Sequence, residues 1–370
     1  MKIAFDSQTF SLQEYGGISQ YYCKLVTYLS FHAEAEVKIF APLHVNAYLP
    51  SLSKNLVSGW KVHKIPKTTR LRHFVSLFLA RPLIYHFCPD IVHETYYSPL
   101  AYAPRSARRV ITVYDMIHER FPGSFPVLDP TKKWKKNVIE RADHVICISE
   151  HTKRDLLEFF DLPIEKISVV HLGFNPFVYL KKTIDDLNEE VIFKKPYLLY
   201  VGQRSGYKNF EGFIRAYANS SWLNQNFRVV CFGGGAFNHK ETNLFYRLGL
   251  SQEQVEQCSG NDSKLAECYH HAEAFIYPSL YEGFGIPPLE AMSQDCPVIC
   301  SKASSIPEVT GDAAEYFNPS NIESISASIE GVLNCSERRN DLIKLGRLRY
   351  TQFTWKQCAE QTLAIYQSLV

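Results

Sequence analysis

Short runs of β-branched, aliphatic and aromatic residues recur along the chain at Lys2–Phe5, Val37–Phe40, Ile91–Val92, Val110–Val113 and His144–Ile148. Between them lie longer stretches whose apolar residues return with helical spacing, so the pattern predicts alternating strands and helices, the mark of a parallel sheet covered by helices. The pattern then starts again, at Tyr197–Val201, Arg228–Phe232, Ala274–Tyr277 and Pro297–Cys300, each run ending on Gly, Pro or small polar residues. Asn175–Lys195 separates the two series and carries Lys181-Lys182 and Asp185-Asp186 with few apolar positions, which reads as a linker. The expectation is an α/β chain with a first domain over 1–180, a linker over 181–195 and a second domain beginning at 196.

Length agrees with that division, since 370 residues exceed the usual size of one domain, and two domains imply a cleft between them. With 46% hydrophobic and 21% charged residues the composition excludes a disordered or collagenous chain. The formal charge is only +2, but residues 1–180 hold 22 Lys and Arg against 16 Asp and Glu, leaving 18 against 22 for the remainder. A basic first half suits an anionic partner or is ordinary surface variation. The ten cysteines form no C-x-x-C pair and several lie in apolar runs such as Val145–Ile148. They read as reduced core residues, and Met1–Asp6 reads as a buried first strand rather than a leader, so a cytoplasmic location is expected. No segment approaches the roughly 18 apolar residues that cross a bilayer. No basic and aromatic signature calls for nucleic acid.

In a parallel sheet, ligands bind beyond the carboxyl ends of the strands, which directs attention to the residues just after each run. Tyr277–Met292 places Glu282 and Glu290 eight residues apart around Gly283-Phe284-Gly285, before a helix expected to begin near Pro287 or Pro288. Glycines let backbone amides approach a ligand and a helix N-terminus favours phosphate, while the two carboxylates can hold sugar or ribose hydroxyls. Taken alone the segment is equally a tight turn and a solvated helix. Tyr200–Asn209 contributes Gly202 and two cations, Arg204 and Lys208, suited to a diphosphate or, alone, to a solvated face. Gln13–Tyr21 holds the pair Gly16-Gly17, which can admit a phosphate or simply turn. Val110–Pro122 runs into Asp115 and His118: Asp115 can orient a hydroxyl or cap the strand end, and His118 can serve catalysis or packing. Ile91–Pro99 offers His93, Tyr96 and Tyr97 either to an acceptor sugar or to the core. Gly233-Gly234-Gly235 ends a strand, and His270, His271 and Glu273 fit no zinc spacing, so no metal is assigned. Finally Lys61, Lys64, Lys67, Arg70, Arg72 and Arg81 bracket the apolar run Phe74–Ala80, with Lys132-Lys133 and Lys135-Lys136 further on. Such a face can touch anionic lipid or remain solvated surface.

The long string from Tyr277 through Cys296–Ile299, Ser304–Val309 and Gly311–Ala314 closely resembles the donor-site signature of family 4 glycosyltransferases of the GT-B fold. Tyr200–Asn209 matches the same family's diphosphate-binding loop. The resemblance is strong over Tyr197–Pro319, moderate at the glycine pair and at Val110–Pro122, and thin elsewhere. It implies two Rossmann-like, doubly wound domains, the first for the acceptor and the second, 196–352, for the nucleotide sugar. A C-terminal helix over 353–370 is expected to cross back to the first. No cofactor is expected; a nucleotide-diphosphate sugar is the co-substrate. Implied roles follow: Arg204 and Lys208 stabilise the departing diphosphate in place of a metal, Glu282 and the Gly283, Phe284 and Gly285 backbone hold the sugar, and Glu290 binds ribose. Gly16, Gly17, Gly202 and Gly234 give close backbone access to the donor, and retention of anomeric configuration is implied. Many relatives carry His-Asp where this chain has Tyr114-Asp115, a departure that bars transfer of a histidine role. General similarity to bacterial polysaccharide-assembly mannosyltransferases favours GDP-mannose, with a glycan or lipid-linked glycan as acceptor and peripheral contact with the inner membrane face through the basic first domain. A sugar-nucleotide epimerase and a non-catalytic nucleotide-sugar-binding protein share this fold class and remain the alternatives.

Overall fold

The computed structural model describes residues 1–100, 103–177 and 195–370. They form two compact units, Met1–Gly173 with Phe353–Val370, and Phe174–Gln352. Apart from Lys195, the predicted linker lies outside the described residues.

In the first unit seven strands, β1 (Lys2–Phe5), β2 (Glu36–His44), β3 (Val57–Lys61), β4 (Ile91–Glu94), β5 (Arg108–Val113), β6 (His144–Cys147) and β7 (Ile167–Val169), lie in the order β3-β2-β1-β4-β5-β6-β7. All neighbours run parallel, with Ile3 facing Val37 on one side and Ile91 on the other. Helices cover both faces, so Ile3, Ala4 and Phe5 are all fully buried and the strand reads as an unbroken apolar run instead of an alternation.

The second unit repeats the plan with β8 (Tyr197–Val201), β9 (Arg228–Phe232), β10 (Val255–Cys258), β11 (Ala274–Tyr277), β12 (Val298–Ser301) and β13 (Ala314–Phe317), again all parallel, in the order β10-β9-β8-β11-β12-β13. Both sheets are doubly wound. In each, the strand order reverses beside the first strand of the unit, and the loops leaving the carboxyl ends of the two strands at that point diverge to opposite faces. These switch points, β1/β4 and β8/β11, are where the fold itself leaves room for a ligand.

Four strands, β3, β7, β10 and β13, did not stand out as apolar runs. Each lies at a sheet edge, and their partly exposed residues, such as Val57-Ser58-Gly59-Trp60-Lys61, lack a continuous hydrophobic signal.

The C-terminal helix Trp355–Leu369 belongs to the first unit, capped by Thr354, whose hydroxyl accepts the Gln357 amide at 3.1 Å. Its Trp355, Cys358, Ala359, Leu363 and Tyr366 enter one core cluster with Tyr21, Tyr22, Leu25 and Val26 of the helix Gly17–Leu29. Tyr366 meets His93 Nδ1 at 2.5 Å, and His93 Nε2 meets Thr112 Oγ1 at 2.9 Å. Burial drives the His93 imidazolium down to about 3, so the ring is neutral and joins the last helix to β4 and β5. His93 is therefore core, not an acceptor contact. Replacing Tyr366 with Phe leaves that ring nitrogen without its partner and is expected to cost about 1–3 kcal/mol in denaturant unfolding of the first unit; an unchanged midpoint would show that the contact carries no stability.

Candidate functional site

The β8/β11 switch point is built from two loops stitched to one another. After β8 the chain passes Gly202, at φ +120°, and makes a single 3-10 turn over Gly206–Lys208. Asn209, at φ +52°, then opens the helix Phe210–Asn219, and its side-chain amide donates to the carbonyls of Pro278 at 3.1 Å and Pro319 at 2.8 Å. The Leu280 amide returns a bond to the Tyr207 carbonyl at 2.7 Å. Across this seam Lys208 Nζ donates to Glu282 Oε1 at 2.7 Å, both side chains largely buried, with the Tyr207 and Tyr277 rings 5.3 and 5.9 Å from the ammonium. Residues 74 apart in sequence thus form one charge-assisted contact.

The loop that carries Glu282 is held from beneath by serines following β12. Ser304 Oγ accepts the Glu282 amide at 2.8 Å, while Ser305 Oγ donates to the Glu282 and Phe284 carbonyls at 2.8 and 2.9 Å. Gly285, at φ +110°, turns the chain into the helix Ile286–Ser293, whose first turn contains Pro287 as expected for a position with no amide to satisfy. Glu290 lies on this helix and accepts from Tyr269 Oη at 3.0 Å. Burial raises its carboxyl to about 7, an effect the Tyr269 hydrogen bond only partly offsets.

Arg204 behaves differently from its sequence neighbour. Its guanidinium is fully engaged: Nε donates to Glu241 Oε1 at 2.8 Å, Nη1 to the Gly233 carbonyl at 2.8 Å, and Nη2 to Gly235 at 2.9 Å and Ala236 at 3.1 Å, with Phe237 4.8 Å away. The planar fork gathers the carbonyls of the loop after β9 and turns it into a fixed scaffold. Gly234, at φ +69°, is required for this, because a Cβ there would stand 2.5 Å from Arg204 Nη1 and 2.9 Å from the Gly202 carbonyl. Glu241 escaped the sequence reading, though Asn238 and Glu241 form a capping box whose spacing is visible in the sequence.

In the first unit, Asp6 occupies the β1/β4 switch point. It is fully buried and accepts from Gln8 Nε2 at 2.8 Å and from the Thr95 amide at 3.1 Å, tying the ends of β1 and β4 together. A short helix, Gln8–Leu12, intervenes between β1 and the glycine pair. Gly16 caps the helix Gly17–Leu29 in extended backbone, and the space a side chain at Gly17 would occupy is open.

Beyond β5, Asp115 Oδ1 accepts the Ile117 amide at 3.0 Å, two residues on, where the chain enters the helix Ile117–Arg120, and the carboxylate stays partly exposed. His118, on that helix, stacks on Phe125 at 3.8 Å and lies 3.8 Å from Asp129, and burial lowers its imidazolium. Behind them stands a residue expected on a basic surface. Lys135 is 1% exposed, donates to the Asp115 carbonyl at 3.0 Å and Glu119 Oε2 at 2.7 Å, and sits 5.5 Å from the Tyr97 ring. The Lys132–Lys136 cluster is thus not one solvated face: Lys135 belongs to the support of Asp115. Tyr114 packs edge-on against Tyr21 and Tyr22, turned toward the helix Gly17–Leu29. Tyr96 and Tyr97 pack together, and Tyr97 is buried.

The His270-His271 pair closes the helix Asp262–His271, and Glu273 pairs with Arg339 at 2.6 Å. Among the described residues no group of His, Cys, Asp and Glu side chains could hold a metal ion. None of the ten cysteines is disulfide-bonded.

Two doubly wound parallel sheets, the second with a cation, two carboxylates and glycine turns at its switch point, make this an α/β protein of the GT-B fold class. Two family models match the chain, glycosyl transferases group 1 over residues 184–349 and glycosyltransferase family 4 over residues 15–176. The chain belongs to the family 4 glycosyltransferases. It is 27% identical over 291 residues to O-antigen chain mannosyltransferase B of Escherichia coli, covering 76% of each chain. It is 28% identical over 324 residues to the O-antigen chain mannosyltransferase RfbU of Salmonella typhimurium, covering 85% of this chain and 87% of that one. Its fold matches the crystal structure of Anabaena HepE in complex with UDP and glucose at a TM-score of 0.71 and 16% identity, over the full length of both. A role in polysaccharide or lipopolysaccharide synthesis accords with the relatives' names.

Two outcomes follow from this geometry. Lys135→Met strands the buried Glu119 carboxylate and is expected to destabilise the first unit by about 3–5 kcal/mol in denaturant unfolding, whereas a loss under 1 kcal/mol would show the pair to be dispensable. The raised Glu290 carboxyl keeps its proton in the folded state after the unfolded chain has released it, so this group's contribution to stability is full below the ordinary value of 4.5 and is lost as pH rises to about 7. Comparing wild type with Glu290→Gln across that window should show the stability difference moving against wild type as pH rises; a constant difference would contradict it.

Proposed function

We propose that this chain transfers a sugar, with mannose from GDP-mannose favoured, to a glycan or lipid-linked glycan acceptor in surface polysaccharide synthesis, with retention at the anomeric carbon and no metal ion. The observation that carries the reading is the Lys208–Glu282 contact at the β8/β11 switch point. Support for the sugar comes from the two O-antigen mannosyltransferases, and for a diphosphate donor from the UDP and glucose held by the HepE structure. Ten cysteines without a disulfide support a reducing, cytoplasmic setting, and the basic first half of the chain supports peripheral contact at the inner membrane face.

The chemistry follows from charge. Breaking the bond between the anomeric carbon and the diphosphate leaves negative charge on the departing phosphate oxygen, and Lys208 supplies a preorganised cation where it develops. In the free protein Glu282 occupies that ammonium; an arriving diphosphate takes its place and releases Glu282 to accept from the sugar hydroxyls. The acceptor oxygen bonds to the anomeric carbon on the face from which the diphosphate departs, and its proton passes to that phosphate oxygen, so no enzymic nucleophile is needed. Arg204 contributes a fixed positive charge and holds the Gly233–Ala236 loop, with Gly202 and Gly234 allowing the close approach. The Gly283, Phe284 and Gly285 backbone borders the sugar, and Glu290 accepts from ribose. Asp115 orients the acceptor hydroxyl, with His118 beside it.

The test is transfer from a panel of GDP, UDP and ADP sugars to glycan acceptors in EDTA, with the anomeric configuration of the product read by NMR. One donor class turned over, with retention, is expected; transfer only on added metal, or an inverted product, would overturn the proposal. Lys208→Ala should slow transfer about a hundredfold or more, the loss typical of one preorganised charge stabiliser, and near-normal turnover would remove Lys208 from the mechanism. Arg204→Lys separates charge from shape. If the fork's grip on the loop matters, it should be nearly as slow as Arg204→Ala, whereas full rescue by Lys would show that charge alone is needed.

A further inference from the structure

The helix Thr69–Phe87 of the first unit is apolar on both sides. One side is ordinary core: Ser76, Leu77, Ala80 and Ile84 are buried, and Arg72 turns inward to donate to the Ser11 carbonyl at 3.1 Å. Opposite them a stripe of Leu71, Phe74, Val75, Phe78, Leu79 and Tyr85 recurs at helical spacing over four turns and faces water, with Phe78 78% and Leu71 67% exposed. Single exposed apolar residues are unremarkable, but a contiguous stripe of this length marks a surface that is covered in use.

The surroundings of the stripe identify what covers it. From Val37 to Pro89 the sequence contains no Asp or Glu, while Lys61, Lys64, Lys67, Arg70 and Arg81 are all exposed around the helix or just before it. Arg81 lies over the Tyr85 ring at 5.5 Å, its charge at the border of the apolar stripe. A second copy meeting this face by two-fold symmetry would set these cations against themselves, with Glu14, 3.3 Å from Lys64, the one carboxylate paired with them among the described residues. An anionic bilayer satisfies both features at once: acyl chains cover the aromatic and aliphatic stripe, and lipid phosphates neutralise its basic rim. The helix is 19 residues long, but no helix among the described residues is long and apolar enough to cross a membrane. It can lie only along the interface.

We infer that the helix Thr69–Phe87 is a membrane-docking element that seats the first unit on an anionic lipid surface. This names the element behind the peripheral contact proposed above, and it stands on the helix itself.

The test is co-sedimentation of the full chain with phosphatidylcholine vesicles, with and without phosphatidylglycerol, at low and high salt. Wild type is expected to bind the anionic vesicles at least tenfold more tightly than the neutral ones, and less tightly as salt rises. The double variant Leu71→Glu with Phe78→Glu, both positions exposed, should lose at least tenfold in vesicle affinity. Its thermal midpoint and nucleotide-sugar binding should be unchanged. Three results would overturn the inference: wild type that ignores anionic vesicles, a double variant that binds them as wild type does, or a wild-type dimer in light scattering that the double variant converts to monomer. Vesicle binding by a chain that binds no nucleotide sugar would leave this inference standing while removing the proposed donor chemistry.

Discussion

The second unit is organised around one ammonium and one carboxylate. Lys208 and Glu282 leave different strands of the same sheet, and each is fixed by backbone bonds before the two side chains meet: Asn209 to Pro278 and Pro319 on one side, Ser304 and Ser305 on the other. Desolvating two charges is costly, and such a pair contributes little net stability compared with apolar packing. Its value is positional. It keeps a cation and a carboxylate at the switch point in a shielded, preorganised arrangement, which under the proposed function an incoming diphosphate exchanges into.

Arg204 completes that arrangement by giving shape to the opposite wall. An Arg with Glu241 on one edge and four loop carbonyls on the other cannot swing away as a flexible Lys could, and the glycine at 234 lets the fork come close. The two cations of the motif therefore differ in setting: Lys208 meets the Glu282 carboxylate, while Arg204 is held by Glu241 and the loop carbonyls. The first unit shows a parallel division, in which buried Lys135 and Glu119 support the partly exposed Asp115.

Much of this was legible in the sequence because parallel strands buried on both faces leave unbroken apolar runs, and because the glycines and carboxylates of the donor motif follow those runs directly. The helix Ile286–Ser293 begins beside Pro287 and Pro288, where the sequence placed it, after a turn at Gly285. What stayed hidden has a common cause. The edge strands β3, β7, β10 and β13 are half-solvated and carry weak patterns. The inward turn of Lys135 and Arg72 cannot be read from charge runs, since local sequence does not say which cation finds a buried acceptor. His93 could be read as an acceptor contact or as core, and the choice stayed open because its partner, Tyr366, lies 273 residues away on the last helix.

The proposed function requires the Lys208–Glu282 seam to receive a nucleotide-diphosphate sugar. Calorimetric titration of the purified chain in EDTA with GDP-mannose and its UDP and ADP counterparts tests it most directly, with Lys208→Ala as the companion. Saturable one-to-one binding of one nucleotide class, with GDP-mannose favoured, is expected, with clear weakening in the variant. Binding of no nucleotide sugar, or equal affinity in wild type and variant, would contradict it.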